Sequence, residues 1–207
     1  MKKITVSILA AVAMNAFAFA GGDIAPVEPE VTVPEVVEPA PFPGAFYVGL
    51  GYAYMNMNID EIQREEADIS AHSALLLAGY KYNQYLGLEA RYTMNIGDPE
   101  FDGYGEDDDL DGDFTNAAIY LKGMYPFKDI NVYALLGYGQ VALDTTEFGD
   151  FSESGFQWGL GADYAITETI AVFADYTRLY DDTGFDGAFE GQDVVVDSIN
   201  LGVTYTF

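Results

Sequence analysis

The stretch INLGVTYTF, residues 199–207, sets the reading of the whole chain. Ile199, Leu201, Val203, Tyr205 and Phe207 alternate with Asn200, Gly202, Thr204 and Thr206. A strict period of two is the signature of a strand with two chemically different faces. Here the alternation runs through the final residue, where chain ends are usually frayed and polar. An aromatic side chain in that place implies a partner strand that holds it.

Seven earlier segments repeat the pattern: AFYVGLGYAYM (45–55), SALLLAGYKY (73–82), YLGLEARYTM (85–94), FTNAAIYLKGMY (114–125), NVYALLGYG (131–139), GFQWGLGADYA (155–165) and IAVFADYTR (170–178). Eight such segments define an all-β fold. Their connections alternate in length. Short ones are expected at Asn83–Gln84, Pro126–Ile130 and Ile166–Thr169, and long ones at 56–71, 95–114, 143–155 and 181–194. Short turns on one rim and long loops on the other mark an up-and-down transmembrane barrel of antiparallel strands.

The two faces decide between lipid and water. One face carries Leu, Val, Ile, Ala and aromatics with no charge at mid-strand. The other is largely Gly, Ser, Thr, Asn and other small residues, as a narrow eight-stranded lumen requires. A charge at the bilayer midplane costs about 2–4 kcal/mol, so its absence fits a face turned to lipid. Tyr54, Tyr80, Tyr82, Tyr92, Tyr125, Tyr164, Tyr176 and Phe207 lie near strand ends, where aromatic girdles belong.

The N-terminus has its own organisation. MKKITVSILAAVAMNAFAFA (1–20) combines Lys2 and Lys3, an apolar run and Ala18-Phe19-Ala20, the pattern of a secretory signal peptide. Residues 21–44 hold six prolines and five acids and read as an extended Pro/Glu-rich periplasmic spacer. The barrel is expected over 45–207. The formal charge is −26, or −28 once the leader is excluded, which argues against nucleic acid as a partner. The absence of Cys rules out disulfides and thiolate metal sites.

Residues 45–207 resemble the OmpA/OmpX-type eight-stranded outer-membrane barrels, most closely in GYKYNQYLGLEARY (79–92), LKGMYPF (121–127) and GLGADYAITETIA (159–171). The resemblance implies a Gram-negative outer-membrane location with lipid and lipopolysaccharide around the wall. It also implies that Ile199, Leu201, Val203, Tyr205 and Phe207 form a C-terminal sorting signal read by the outer-membrane assembly machinery. A family network of lumen charges maps onto Glu89, Lys122 and Asp163. Its basic member falls on Phe173, and Arg91, two residues from Glu89, is placed to substitute. The peptidoglycan-binding domain of full-length OmpA has no counterpart in this sequence.

Alternation itself turns Lys81, Arg91, Lys122, Glu89, Asp163 and Asp175 inward, three of each sign. Buried charges persist when they are paired, so a lumen network of zero net charge is expected. The four long connections hold 23 of the 34 acids against the single Arg64. Within GEDDDLDGDF, Asp107, Asp109, Asp111 and Gly112 match half of a calcium-loop pattern, but Ala118 stands where its bidentate Glu belongs. That excludes an EF-hand and leaves a weak Ca²⁺ or Mg²⁺ site in the loops as the one cofactor reading. The sole His, His72, adjoins Ser73, which alternation puts on the opposite face, so no nucleophile–base pair is expected. Three functions remain: a monomeric structural or surface-interaction barrel with a plugged lumen, a narrow ion channel, and a lipid A-modifying enzyme. The first is preferred, because eight strands leave an interior just filled by side chains.

Overall fold

The computed structural model describes residues 44–62, 65–103, 106–109, 111–146, 149–186 and 188–207; the expected signal peptide and nearly all of the spacer lie outside them. Ten strands are present: β1 (Ala45–Ile62), β2 (Glu65–Lys81), β3 (Leu86–Asn95), β4 (Glu100–Gly103), β5 (Glu106–Asp109), β6 (Gly112–Phe127), β7 (Ile130–Thr145), β8 (Gly149–Ala165), β9 (Ile170–Phe185) and β10 (Ala188–Thr206). No helix occurs among the described residues. Eight strands form a closed antiparallel ring in the order β1-β2-β3-β6-β7-β8-β9-β10. The ring closes where β1 pairs with β10, from Tyr47–Thr206 to Ile59–Val194. The Phe207 N–H donates to the Phe46 carbonyl at 2.9 Å, so the terminal aromatic is held by the first strand.

The turns on one rim are short and self-capped. The Asn83 carboxamide oxygen accepts the Tyr85 and Leu86 N–H groups at 2.7 and 2.8 Å. The Thr167 hydroxyl does the same for Thr169 and Ile170. Side chains that mimic a turn's own hydrogen bonds explain these residue types. Two expected boundaries move. The first turn covers residues 82–85 rather than Asn83–Gln84 alone, and the second shrinks to Lys128–Asp129, with Lys128 at φ 58°.

The larger correction concerns the long connections. Most of their described residues are strand, because the barrel strands continue past the apolar band as hairpins. The second connection also holds an extra hairpin, β4–β5, which pairs with β2 through Phe101 opposite Ile69. Along β1 the inward parity never changes, yet the chemistry reverses. Below the mid-barrel the inward positions are Tyr47, Gly49, Gly51 and Ala53, and the outward ones Phe46, Val48, Leu50 and Tyr52. Above it, Met55, Met57 and Ile59 point inward, while Asn56 and Asn58 face out. The same reversal occurs on β10, where Val194 and Val196 turn in and Asp193 and Asp197 turn out.

The barrel therefore has two storeys. The lower one shows apolar side chains to lipid. On β6 that band runs from Ala117 to Phe127, eleven residues, the length of a tilted spanning strand. The upper one is built like a water-soluble β-structure, with an apolar core of Met55, Met57, Ile69, Phe114, Val141, Leu143, Leu179, Tyr180, Phe185 and Val196. Phe101 of β4 and Phe151 of β8 pack against that core. The lipid boundary is directly testable: Leu121→Arg should cost about 2–4 kcal/mol of unfolding free energy in bilayers, and Thr115→Arg, on the same face of β6, about 0–1. Urea titrations of both variants measure the difference.

Candidate functional site

The lower storey's lumen gathers charged groups from strands that are distant in sequence. Glu89 and Arg91 sit one above the other on β3, both inward. Lys122 lies opposite Gly87 on β6, beside them. Asp175 reaches in from β9 across the lumen. Relative exposure is 0 % for Glu89, 4 % for Lys122, 5 % for Arg91 and 6 % for Asp175, so none of the four has water to solvate it.

Their pairing is close to complete. The Arg91 Nε donates to Glu89 Oε1 at 2.7 Å, and its two Nη groups form a fork on the Asp175 carboxylate at 2.9 and 2.7 Å. Lys122 Nζ donates to Glu89 Oε2 at 2.9 Å and stands 3.9 Å from the Tyr133 ring centroid. Tyr47 donates to Glu89 at 2.5 Å, Tyr133 to Asp175 at 2.7 Å, and Asn200 Nδ2 to Asp175 at 2.7 Å. Two cations and two anions thus share one network that ties β1, β3, β6, β7, β9 and β10 together. Buried ion pairs hold only with this degree of satisfaction. A second polar layer lies beside it, where Tyr120 donates to Gln157 at 2.5 Å and Gln157 to Asn116 at 2.8 Å.

The tyrosines reach these partners over bare stretches of wall. A Cβ at Gly79 would overlap the Tyr47 ring, and one at Gly161 would overlap the Asp175 Cβ and come within 2.8 Å of Tyr133 Cζ. The glycines on the lumen face leave room for rings to lie flat and aim their hydroxyls at the carboxylates.

The six charges singled out in the sequence therefore divide. Glu89, Arg91, Lys122 and Asp175 come together. Asp163 accepts from Asn131 at 2.7 Å, and no ion pair joins it to Lys122 among the described residues. Lys81 is half-buried with its Nζ 5.4 Å from the Tyr47 ring centroid. Phe173, which stands at the resemblance's basic position, has its ring 5.9 Å from the Arg91 guanidinium carbon. The cation is supplied from β3 instead of β9 to the same region.

The remaining candidates lie outside this network. Asp107 and Asp109 belong to the extended β5, whose backbone is laddered to β4. Their side chains lie outside the described residues. The ladder sets Asp107 opposite Asp102 and Asp109 opposite Glu100. Asp111 is exposed on the way into β6. His72 faces outward and shares a hydrogen bond between its Nδ1 and the Tyr52 hydroxyl, while Ser73 is fully buried on the lumen side. Ile199, Leu201, Val203, Tyr205 and Phe207 all project outward and are exposed on the apolar wall.

Two features escape a reading by alternation. The first is the apolar core of the upper storey, whose signal is a sign reversal at constant parity. The second is an outward cluster where Arg178 donates to Asp197 at 2.5 Å and Asp181 at 2.7 Å, and Tyr176 also donates to Asp197 at 2.5 Å. It sits at the storey boundary above Trp158, whose ring centroid is 5.9 Å from that of Tyr176.

Comparison with known proteins places this geometry. A family model described as the outer membrane protein beta-barrel domain matches residues 5–207. Among solved structures, the chain is similar to Ail, the attachment invasion locus protein of Yersinia pestis, at 20% identity and a TM-score of 0.55, over 79% of this chain and 99% of that one. A second structure of Ail, in complex with the heparin analogue sucrose octasulfate, gives 20% identity and a TM-score of 0.52 with the same coverage. Neisserial surface protein A is similar at 19% identity and a TM-score of 0.54, over 78% of this chain and 97% of that one. No curated protein sequence matches the chain.

Removing one member of the lumen network tests its energetics. Lys122→Met leaves Glu89 with Arg91 and Tyr47 only, and should lower stability by about 3–5 kcal/mol. Lys122→Met combined with Glu89→Gln should lose less than the sum of the two single changes. An additive result in a urea double-mutant cycle would contradict the coupling.

Proposed function

The chain belongs to the outer-membrane protein β-barrel domain family, a family of the Gram-negative outer membrane, and from that premise we propose a non-catalytic surface-interaction barrel with a closed lumen. One observation carries the closure: the lumen is filled twice in series. The four-residue charge network occupies the lower storey, and the apolar core occupies the upper one. An ion crossing would have to displace the paired charges and then pass between Met, Leu, Val and Phe side chains that offer it no ligand.

The upper storey is the part that neighbours would meet. Its outside carries eleven exposed Asp and Glu among the described residues, from Asp98 to Asp193, and Arg178 is the one Lys or Arg beside them. Ail was solved with a polyanion, the heparin analogue. The acids of this upper storey carry the same negative sign as that ligand, so sulfated sugars are not its expected ligands. Cationic surfaces and segments are, with divalent cations of the outer leaflet as diffuse neutralisers between the wall and lipopolysaccharide. Catalysis is not part of this reading: His72 engages Tyr52 on the lipid side, and Ser73 lies on the other face. A closed ring leaves the lower barrel no edge to share, in keeping with a monomer.

Planar-bilayer recording of the refolded chain tests the lumen, with folding verified by heat-dependent gel mobility. Silence is the expected result. Reproducible steps that change in Lys122→Met would replace the plug with the narrow-channel reading. Retention on a cationic surface that fades above roughly 0.15 M salt, with none on heparin, is expected for the acidic storey.

A further inference from the structure

The upper storey is not a complete ring. The ladder between β8 and β9 runs from Ala165–Ala171 to Trp158–Arg178 and stops there. Above that level, among the described residues, β8 is laddered only to β7, and β9 only to β10. The cause is local. The β9–β10 register shifts between Val196–Tyr180 and Asp197–Arg178, so Leu179 is an extra residue, and Leu179 and Tyr180 both turn into the core. Such a bulge bends a strand away from its neighbour.

The β8 side of this seam has a defined polarity. In an antiparallel ladder, alternate residues direct N–H and C=O to one neighbour or the other. The Ala165 N–H donates toward the β7 side, to the Asp129 carbonyl at 2.8 Å. The Ser152 N–H points the other way, to the Asp186 carboxylate at 2.9 Å. Register on β7 is unbroken between these residues, so even-numbered β8 residues face the seam. Ser154 and Phe156 therefore direct backbone groups to a side where the β9 ladder is absent. Asp186, at the tip of the β9–β10 hairpin with φ 45°, clips the top of the seam. Its carboxylate stands where a partner strand's carbonyl would, and its own N–H donates to Glu153 at 3.0 Å.

We propose that this seam is a strand-addition site, in which an extended basic polypeptide segment pairs with the β8 edge at Ser154 and Phe156 and displaces the Asp186 clip. The backbone supplies the ladder, as in other edge-strand recognition. The flanking acids, Asp150, Glu153, Asp181, Asp182 and Asp186, supply the charge preference. A second copy of this acidic chain is repelled from the same edge. The inference rests on the reading of the upper storey as a surface for cationic partners and adds the backbone contact to it.

The test uses the refolded chain in lipid nanodiscs and a fluorescent peptide of alternating Lys and Val. A control peptide of the same sequence carries N-methyl groups on alternate backbone nitrogens, which keeps the charge and removes the ladder. The unmodified peptide is expected to bind at least tenfold more tightly than the control, and to slow amide exchange at Ser154 and Phe156. Ser154→Pro, which removes a seam-facing N–H without touching the β7 ladder, should lower peptide affinity by a similar factor. Equal binding of the two peptides would overturn the edge site and leave the acidic-surface reading standing. Binding of neither would overturn both. Protection of Ser154 and Phe156 by a concentration-dependent dimer, without peptide, would assign the edge to a second copy and overturn the proposal.

Discussion

In hydrocarbon an unpaired peptide group has no solvent to turn to, and each one left open costs several kcal/mol. The pairing of β1 with β10 is therefore the constraint on which the other features depend. Closure into a ring of eight fixes the lumen's width. A narrow lumen selects glycine and small side chains for most inward positions and leaves room for a few large ones. Among these Tyr47, Glu89, Arg91, Tyr120, Lys122 and Tyr133 carry polar groups, which need buried partners because water does not reach them.

The wall crosses two solvents, and its strands answer both without changing direction. Below the boundary the outward face is apolar and the lumen is polar. Above it the assignment exchanges, since water now lies outside. The boundary coincides with the Trp158–Tyr176 contact and the Arg178–Asp197 pair, the first outward charges met on β9 and β10. The upper storey consequently has a hydrophobic core of its own, and that core, not the lipid, holds the projecting hairpins together.

Much of the lower storey was legible in the sequence, because period-two alternation reports which residues share a face. It reports nothing about distance across the lumen. Glu89 and Arg91 were readable as inward neighbours, but the fork of Arg91 on Asp175 depends on barrel stagger. The separation of Asp163 from Lys122 depends on it too. The long connections were misread for a different reason. Met55, Met57 and Ile59 alternate with Asn56, Asn58 and Asp60 in the ordinary soluble manner. That pattern merges with the lipid-facing one at constant parity, so the apolar face breaks off where only the solvent changes. The seam between β8 and β9 was beyond the sequence, since one extra residue at Leu179 is visible only once both registers are known.

The fit of Tyr47 over Gly79 has a consequence for how such a sequence drifts. Neither partner is free to vary alone. A side chain gained at Gly79 evicts a ring whose hydroxyl serves Glu89, and a ring lost at Tyr47 opens a void beside that carboxylate. Substitutions at these positions should thus travel in pairs across relatives: a smaller residue replaces the tyrosine where the glycine acquires bulk. That corner of the lumen would then be inherited as a matched couple, while the acids of the upper storey exchange one at a time.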